Sequence, residues 1–577
     1  MHAARAWVWA PVSYLVLSVV TLIQLWISPA TRVLAHNDDD HGFFLFVLAH
    51  GERVVFHGEN PFLSGRMNVP DGVNMMANTS ILALSVPFAP VTHFLGAGVS
   101  LVALLTLGLA GTAAAWWWVL RRHLVRSELA AWLGGLWCGF APAMVSHANG
   151  HVNFVANFVL PFLVWQVLRL REPGRVLRGG VILGLLVVLQ VFVNEETLLF
   201  TALTFLAFVI AYACFAPRVV REVAGRFLAG LGVAGATALA LLAYPLWWQF
   251  SGPQSYSGQP FAPGEFVTDL LSLGAYARQS LAGNSAIARQ LSASPTEDNT
   301  FWGLPMLVLL VVAGVLLWRS AAARATMVAA LVLLLMSMGP ELRVAGHDTG
   351  FPLPFALIQH VPIIDLVSVT RFAMVPAALI GVLLALACDR TGRIARRHRR
   401  AFWVLVAVAV VPVLPKPLPV VAATPLPPFI AEKMYEDYVP EGRTLVSVPV
   451  PEVTYGREGM RWFALSGLNF AVPGGYFMGP ANPPEDRTGS WRAPLRPTTS
   501  ILRVAQAYGR MPVLTSADRQ AAVADLTHWR ASVVVLVPGT ERHELLRTIL
   551  TDLIGAEPQQ VGGVELWDVR ELVHPTG

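Results

Sequence analysis

His36-Asn37-Asp38-Asp39-Asp40-His41 lies just past the first long apolar run, 6–35, where a membrane segment emerges into water. Three consecutive carboxylates beside hydrocarbon repel one another and lose solvation, so they are costly to hold there. Burial and like-charge repulsion predict a raised pKa for at least one of them, which suits a general base. A pair of such acids can deprotonate a hydroxyl or hold a divalent cation against a phosphate. The plain alternative is a solvated turn that caps the first helix.

The rest of the chain says what surrounds these acids. Of 577 residues, 55% are hydrophobic and only 13% charged. A soluble chain carries about twice that charged fraction. Several apolar runs are long enough to cross ~30 Å of hydrocarbon. The expected fold class is therefore mainly α, a polytopic membrane protein with about eleven transmembrane helices. The runs are 7–30, 97–120, 129–146, 155–169, 179–195, 198–216, 227–249, 303–318, 325–340, 372–389 and 401–421. Arginine clusters in the short loops around 121–126, 169–178, 218–226, 319–324 and 390–400, together with Arg5, fall on one face. The positive-inside rule makes that face the cytoplasm of a multi-pass plasma-membrane protein. The N-terminus is then cytoplasmic, and the acidic stretch and the C-terminus are outside. The net charge of +5 reports this orientation and implies no nucleic-acid partner. Cys138, Cys214 and Cys388 each sit in an apolar run and read as free thiols, with no CxxC metal site. The first run is too long for a cleaved signal peptide and reads as a retained helix.

Three regions follow. Residues 1–421 form the membrane domain, with a long first outer loop at 31–96. That loop holds a helical part, 42–56, then turn-rich chain and an interfacial or re-entrant stretch, 81–95. Residues 422–442 are a proline-rich linker. Residues 443–577 form an extracytoplasmic α/β domain, with strands at 444–449, 532–537 and 561–567 and helices at 517–529 and 542–554. No glycine-rich phosphate loop follows a strand, so nucleotide-driven chemistry is unsupported.

Four more polar clusters fall on the outer face. Asn194-Glu195-Glu196 sits between two apolar runs, either as a functional pair of acids or as the exposed tip of a hairpin. His147-Ala148-Asn149-Gly150-His151-Val152-Asn153 offers imidazoles and amides for a metal, sugar or phosphate, although Gly150 interrupts the helix that i, i+4 zinc ligation wants. Arg371 stands apart from the inner arginines, and bidentate phosphate binding or headgroup snorkelling accounts for it. Glu297-Asp298-Asn299 precedes an aromatic pair, Phe301-Trp302.

This layout resembles the GT-C superfamily of membrane glycosyltransferases, and more closely a branch of actinobacterial GT-C-like membrane proteins. The stretches that carry the resemblance are Asn37-Asp38-Asp39-Asp40, His57-Gly58-Glu59-Asn60-Pro61-Phe62, Pro70-Asp71-Gly72-Val73-Asn74, Asn78-Thr79-Ser80, Gly150-His151-Val152-Asn153, Glu195-Glu196, Arg371-Phe372 and Gly474-Gly475-Tyr476-Phe477. It departs at His41 and Phe44, where that branch implies Gln and Trp. The resemblance implies a hexosyl or pentosyl transfer from a polyprenyl-phosphate sugar donor to a cell-wall glycan, lipid or protein acceptor, with inversion. It implies a catalytic carboxylate at Asp38, with Asp40 next. Arg371, His151, Asn153, Glu195 and Glu196 would face the donor phosphate. His41, Glu297 and Asp298 would make acceptor or loop contacts, and Asp40, Glu195 and Glu196 would hold Mg or Mn. A flippase of lipid-linked glycans and a non-catalytic cell-envelope scaffold are the competing readings.

Overall fold

The computed structural model describes residues 2–262 and 264–573, with side chains from residue 8 onward; the Arg5 side chain and the last four residues of the 443–577 region lie outside what is described. The chain is mainly helical. Among the described residues, six helices are long and apolar enough to cross a membrane: Ala97–Leu124, Glu128–His147, Val152–Arg169, Glu195–Phe215, Pro217–Ser251 and Val369–Arg393. Four shorter apolar helices, Val8–Thr21, Val176–Val191, Leu304–Leu317 and Ala321–Ser337, fall on other expected spans. The run at 401–421 is different. Its helix, Arg396–Val410, starts on a basic turn and gives way at Val410 to a 3-10 turn and then to chain broken by Pro412, Pro415, Pro417 and Pro419. Each of these prolines lacks the N–H that a continuing helix needs.

Close helix packing comes from small residues. A Cβ on Gly135 would stand 2.6 Å from the Ala113 carbonyl oxygen, and one on Gly184 would stand 2.8 Å from that of Ala234. These small-residue faces let Glu128–Phe140 sit against Ala97–Val119, and Val176–Val191 against Pro217–Ser251. Leu206, Ile210 and Leu239 on the outward flanks are exposed, as lipid-facing side chains are.

The acidic stretch is not a loose turn. Asp38, Asp39 and Asp40 form the first turn of a helix, Asp38–His57, and the Asn37 side chain caps it by accepting from the Asp40 amide. Carboxylates at a helix N-terminus are favoured by the macrodipole. From Phe43 to Arg53 this helix is buried on all sides. It packs against Arg457–Leu465 from the C-terminal region, with Phe46 stacked 5.9 Å from Phe463.

The C-terminal sheet runs in the order Gln559–Val561, Val564–Asp568, Ala531–Leu536, Thr444–Val448; only the last pair is parallel. Strand alternation gives the sheet two buried faces. Val534 and Leu536 pack with Leu526, Trp529 and Ile549 of the covering helices. Val533 and Val535 join the core that holds Phe46, Phe429 and Phe463. The expected single strand at 561–567 is a hairpin. Gly562 (φ 52°) and Gly563 (φ 81°) form its turn, and two successive positive φ angles suit the tight hairpin turn that matches strand twist. The region read as a linker starts with a strand, Val420–Ala422, paired antiparallel with Arg32–Leu34 just after the first helix.

Candidate functional site

A cavity of about 510 Å³ opens where several helices end. Asp40, His151, Asn153, Glu195, Glu196, Glu297 and Arg371 all line it. Three of the membrane-length helices contribute at one end and carry arginines at the other. Glu195 begins a helix whose far end leads to Arg218. Gln249 ends the 35-residue helix that begins at Pro217. Arg371 begins the helix that reaches Arg390 and Arg393. At ~1.5 Å per residue these helices separate the cavity from the arginine clusters by roughly the thickness of a bilayer.

Within the cavity one polar cluster is continuous. Asp40 Oδ2 accepts from Asn37 Nδ2 at 2.7 Å and pairs with His151 Nε2 at 2.8 Å. His151 Nδ1 meets His147 Nδ1 at 2.9 Å. His147 Nε2 lies 3.7 Å from Glu297 Oε2 and has no hydrogen-bond partner. Arg371 donates from Nε to Glu297 Oε1 at 2.9 Å and from its NH1 nitrogen to Glu196 Oε2 at 3.1 Å, over the face of Phe154. The turn through Gly150 makes this possible. Gly150 has φ 112°, and a Cβ there would come within 3.3 Å of the Asp40 side chain, so only glycine lets the histidine loop approach so closely. Gly150 does interrupt the helix, yet the turn brings the two imidazoles together.

Three consecutive residues of a helix point in three directions, about 100° apart. Only Asp40 faces the cavity. Asp39 is held bidentately by Arg457, at 2.6 and 3.0 Å. Asp38 is 42% exposed and 3.4 Å from the same guanidinium, and it is absent from the cavity wall. Of the two carboxylates expected to be catalytic, Asp40 lines the cavity and Asp38 does not. The expected raised carboxylate pKa also divides. Burial pushes Asp39 up. At Asp40 burial acts in the same direction, but the His151 charge and hydrogen bond, the Asn37 bond and Arg371 together outweigh it and hold the carboxyl below its ordinary value.

His41 and Asp298 do not reach the cavity. His41 is 2% exposed, and burial followed by the Arg461 charge lowers its pKa to about 4, so it is a neutral packing residue. Asp298 is fully buried in a fork with Arg278 at 2.8 and 2.9 Å. This pair anchors the loop that carries Glu297. Breaking a buried pair leaves an uncompensated charge and costs about 3–5 kcal/mol. Arg278→Met is expected to lower stability by that amount in detergent unfolding, and an unchanged unfolding midpoint contradicts the anchoring role.

The candidate metal group is also not the expected one. Glu195 is bonded to Gln249 and Glu196 to Arg371. Among the described residues, the group whose ligand atoms lie within 4.8 Å of one another is His147, His151 and Glu297. Two imidazoles and a carboxylate, one imidazole nitrogen buried without a partner, fit a divalent transition metal better than Mg²⁺, which prefers oxygen. His147 is the site residue that helix spacing alone would have discarded.

Tyr476 is a second residue outside the expected set. It lines the cavity together with Asp40. Burial and then the Asp40 and Asp39 charges push its phenol well above the usual range, so it stays a donor.

A family described as a domain of unknown function, DUF6311, matches residues 57–414. The chain belongs to this family. No curated protein matches the sequence. Among solved structures, the arabinofuranosyltransferase AftD from Mycobacteria overlays on 98% of this chain at a TM-score of 0.55 and 15% identity, and the chain spans 41% of that protein. The oligosaccharyltransferase AglB from Archaeoglobus fulgidus, solved with an inhibitory peptide and a dolichol-phosphate, overlays on 91% of this chain and 69% of its own, at 0.48 and 14%. Identities this low speak for the fold alone, and the AftD overlay carries that point: the fold resembles that of AftD.

Proposed function

We propose that this protein is an inverting membrane glycosyltransferase that moves a sugar from a polyprenyl-phosphate donor to an extracytoplasmic hydroxyl acceptor. The observation that carries this reading is the gathering of Asp40, His151, Glu297 and Arg371 around one cavity at the helix ends opposite the arginine clusters. The positive-inside rule then puts the cavity outside the cytoplasm, in a plasma-membrane protein with about eleven spans. Residues 1–421 form the membrane domain and 443–577 the outer unit, joined through 422–442 and docked on the helix Asp38–His57.

In this reading Asp40 is the base. It is ionised at neutral pH, and His151 and Asn37 fix its orientation through Oδ2. The acceptor hydroxyl gives up its proton to Asp40 as its oxygen bonds to the anomeric carbon and the phosphate departs with the bonding electrons. Arg371 presents its guanidinium to that phosphate. Four carboxylates, those of Asp40, Glu195, Glu196 and Glu297, face this one guanidinium among the cavity-lining residues. An added phosphate needs more positive charge than Arg371 supplies, which favours a divalent cation on His147, His151 and Glu297. A bound Mn²⁺ or Zn²⁺ would supply Lewis-acid stabilisation of the phosphate charge.

The test is direct. Purified protein in nanodiscs, given farnesyl-phosphoryl pentoses and hexoses with cell-envelope acceptors and Mn²⁺, is expected to release farnesyl phosphate as it glycosylates the acceptor. Transport of the intact lipid with no release contradicts transfer.

A further inference from the structure

Glu195 shares the cavity but stands apart from the cluster around Arg371. Its Oε2 accepts from Gln249 Nε2 at 2.6 Å, and Gln249 Oε1 has no partner. Asn194 is 5% exposed. It caps its helix through Oδ1, at 3.1 Å from the Thr197 amide, and its Nδ2 has no partner. All three side chains line the cavity. So do Trp491 and Phe261, whose ring centroids are 5.7 Å apart at an interplanar angle of 27°. Buried polar atoms without partners are uncommon, and here they occur on the wall of a cavity.

The chemistry of these groups is selective. A carboxylate and an amide oxygen accept from hydroxyls, an amide NH₂ donates to them, and an aromatic face covers the C–H side of a ring. A phosphate is attracted to Arg371 and finds no cation at Glu195 among the described residues. Glu196, which bonds Arg371, follows Glu195 directly, with Cα atoms about 3.8 Å apart. A ring bonded to a phosphate held at Arg371 is therefore within reach of Glu195.

We propose that Glu195, Gln249 and Asn194, with Trp491, form the subsite for the transferred sugar ring of the donor, a neutral pentose or hexose with free vicinal hydroxyls. This rests on the transfer reading above and takes Glu195 out of the metal and phosphate roles.

The experiment is a binding comparison in nanodiscs, using full-length protein with Glu195→Gln and Gln249→Ala variants. The probes are farnesyl phosphate and farnesyl phosphate carrying arabinose, mannose or glucose. The wild type is expected to bind at least one glycosylated probe about tenfold or more tightly than farnesyl phosphate, the worth of one or two well-placed hydrogen bonds. Both variants should lose that preference while binding farnesyl phosphate as the wild type does. Equal weakening toward both kinds of probe, or a preference that survives in both variants, overturns the subsite and leaves the transfer reading standing. Failure of the wild type to bind farnesyl phosphate at all overturns both.

Discussion

Asp40→Asn is expected to lower sugar transfer by about 10²–10⁴-fold, the usual contribution of a positioned general base. The amide keeps the shape of the carboxylate but cannot take the acceptor proton. Donor binding should change little, because Asp40 is bonded to Asn37 and His151, while the guanidinium assigned to the phosphate is held by Glu196 and Glu297. The matched control is Asp38→Asn, which alters a half-exposed partner of Arg457 outside the cavity and should leave the rate within a few-fold of wild type. Steady-state transfer rates for the two variants decide the matter. The reverse ranking would return the role of base to Asp38.

Arg371 offers the second large effect. Deleting its side chain would leave Glu297, 4% exposed, and Glu196 facing each other without a counter-charge. Arg371→Ala therefore mixes lost catalysis with a folding penalty of about 3–5 kcal/mol. Arg371→Lys separates the two. It keeps the charge between the two acids but loses the planar fork that matches a phosphate. Transfer is expected to fall by about 10²–10³-fold, the scale seen when one donor to a developing anion is removed, with the unfolding midpoint close to wild type. A lysine variant that turns over like the wild type would show that the guanidinium is only a structural clasp between Glu196 and Glu297.

The parts of this site that were legible in the sequence were those set by hydropathy. Apolar runs put Asp38–Asp40, His147–Asn153, Asn194–Glu196, Glu297 and Arg371 at one set of helix ends, and the cavity draws on all five stretches. Hydropathy has no information on azimuth. The choice among Asp38, Asp39 and Asp40 depends on which direction of a helical turn meets the Gly150 loop, and Arg457, some 400 residues away in the chain, claims the other two acids. His147 was obscured for a related reason. Helix spacing is one way to bring two imidazoles together, and a left-handed turn at Gly150 is another. The contacts of Tyr476 and Trp491 were beyond reach because they come from the C-terminal region folding back over the first outer loop. The Asn78 side-chain amide clasps the Met478 backbone there, accepting from its N–H at 2.6 Å and donating to its carbonyl at 2.7 Å. Three of the four strands of the C-terminal sheet were visible as short apolar runs rich in β-branched residues. The docking of one face of that sheet into the core of Asp38–His57 was not, because both faces carry the same kind of residue.

The most direct measurement is a cryo-EM map of the full-length protein in nanodiscs with farnesyl phosphate bound. The account predicts phosphate density in the cavity, within hydrogen-bonding distance of the Arg371 guanidinium and on the side of Asp40 and His151, with the prenyl chain leaving between the helices toward lipid. Phosphate density at the arginine-rich helix ends, with the cavity unchanged, would contradict it.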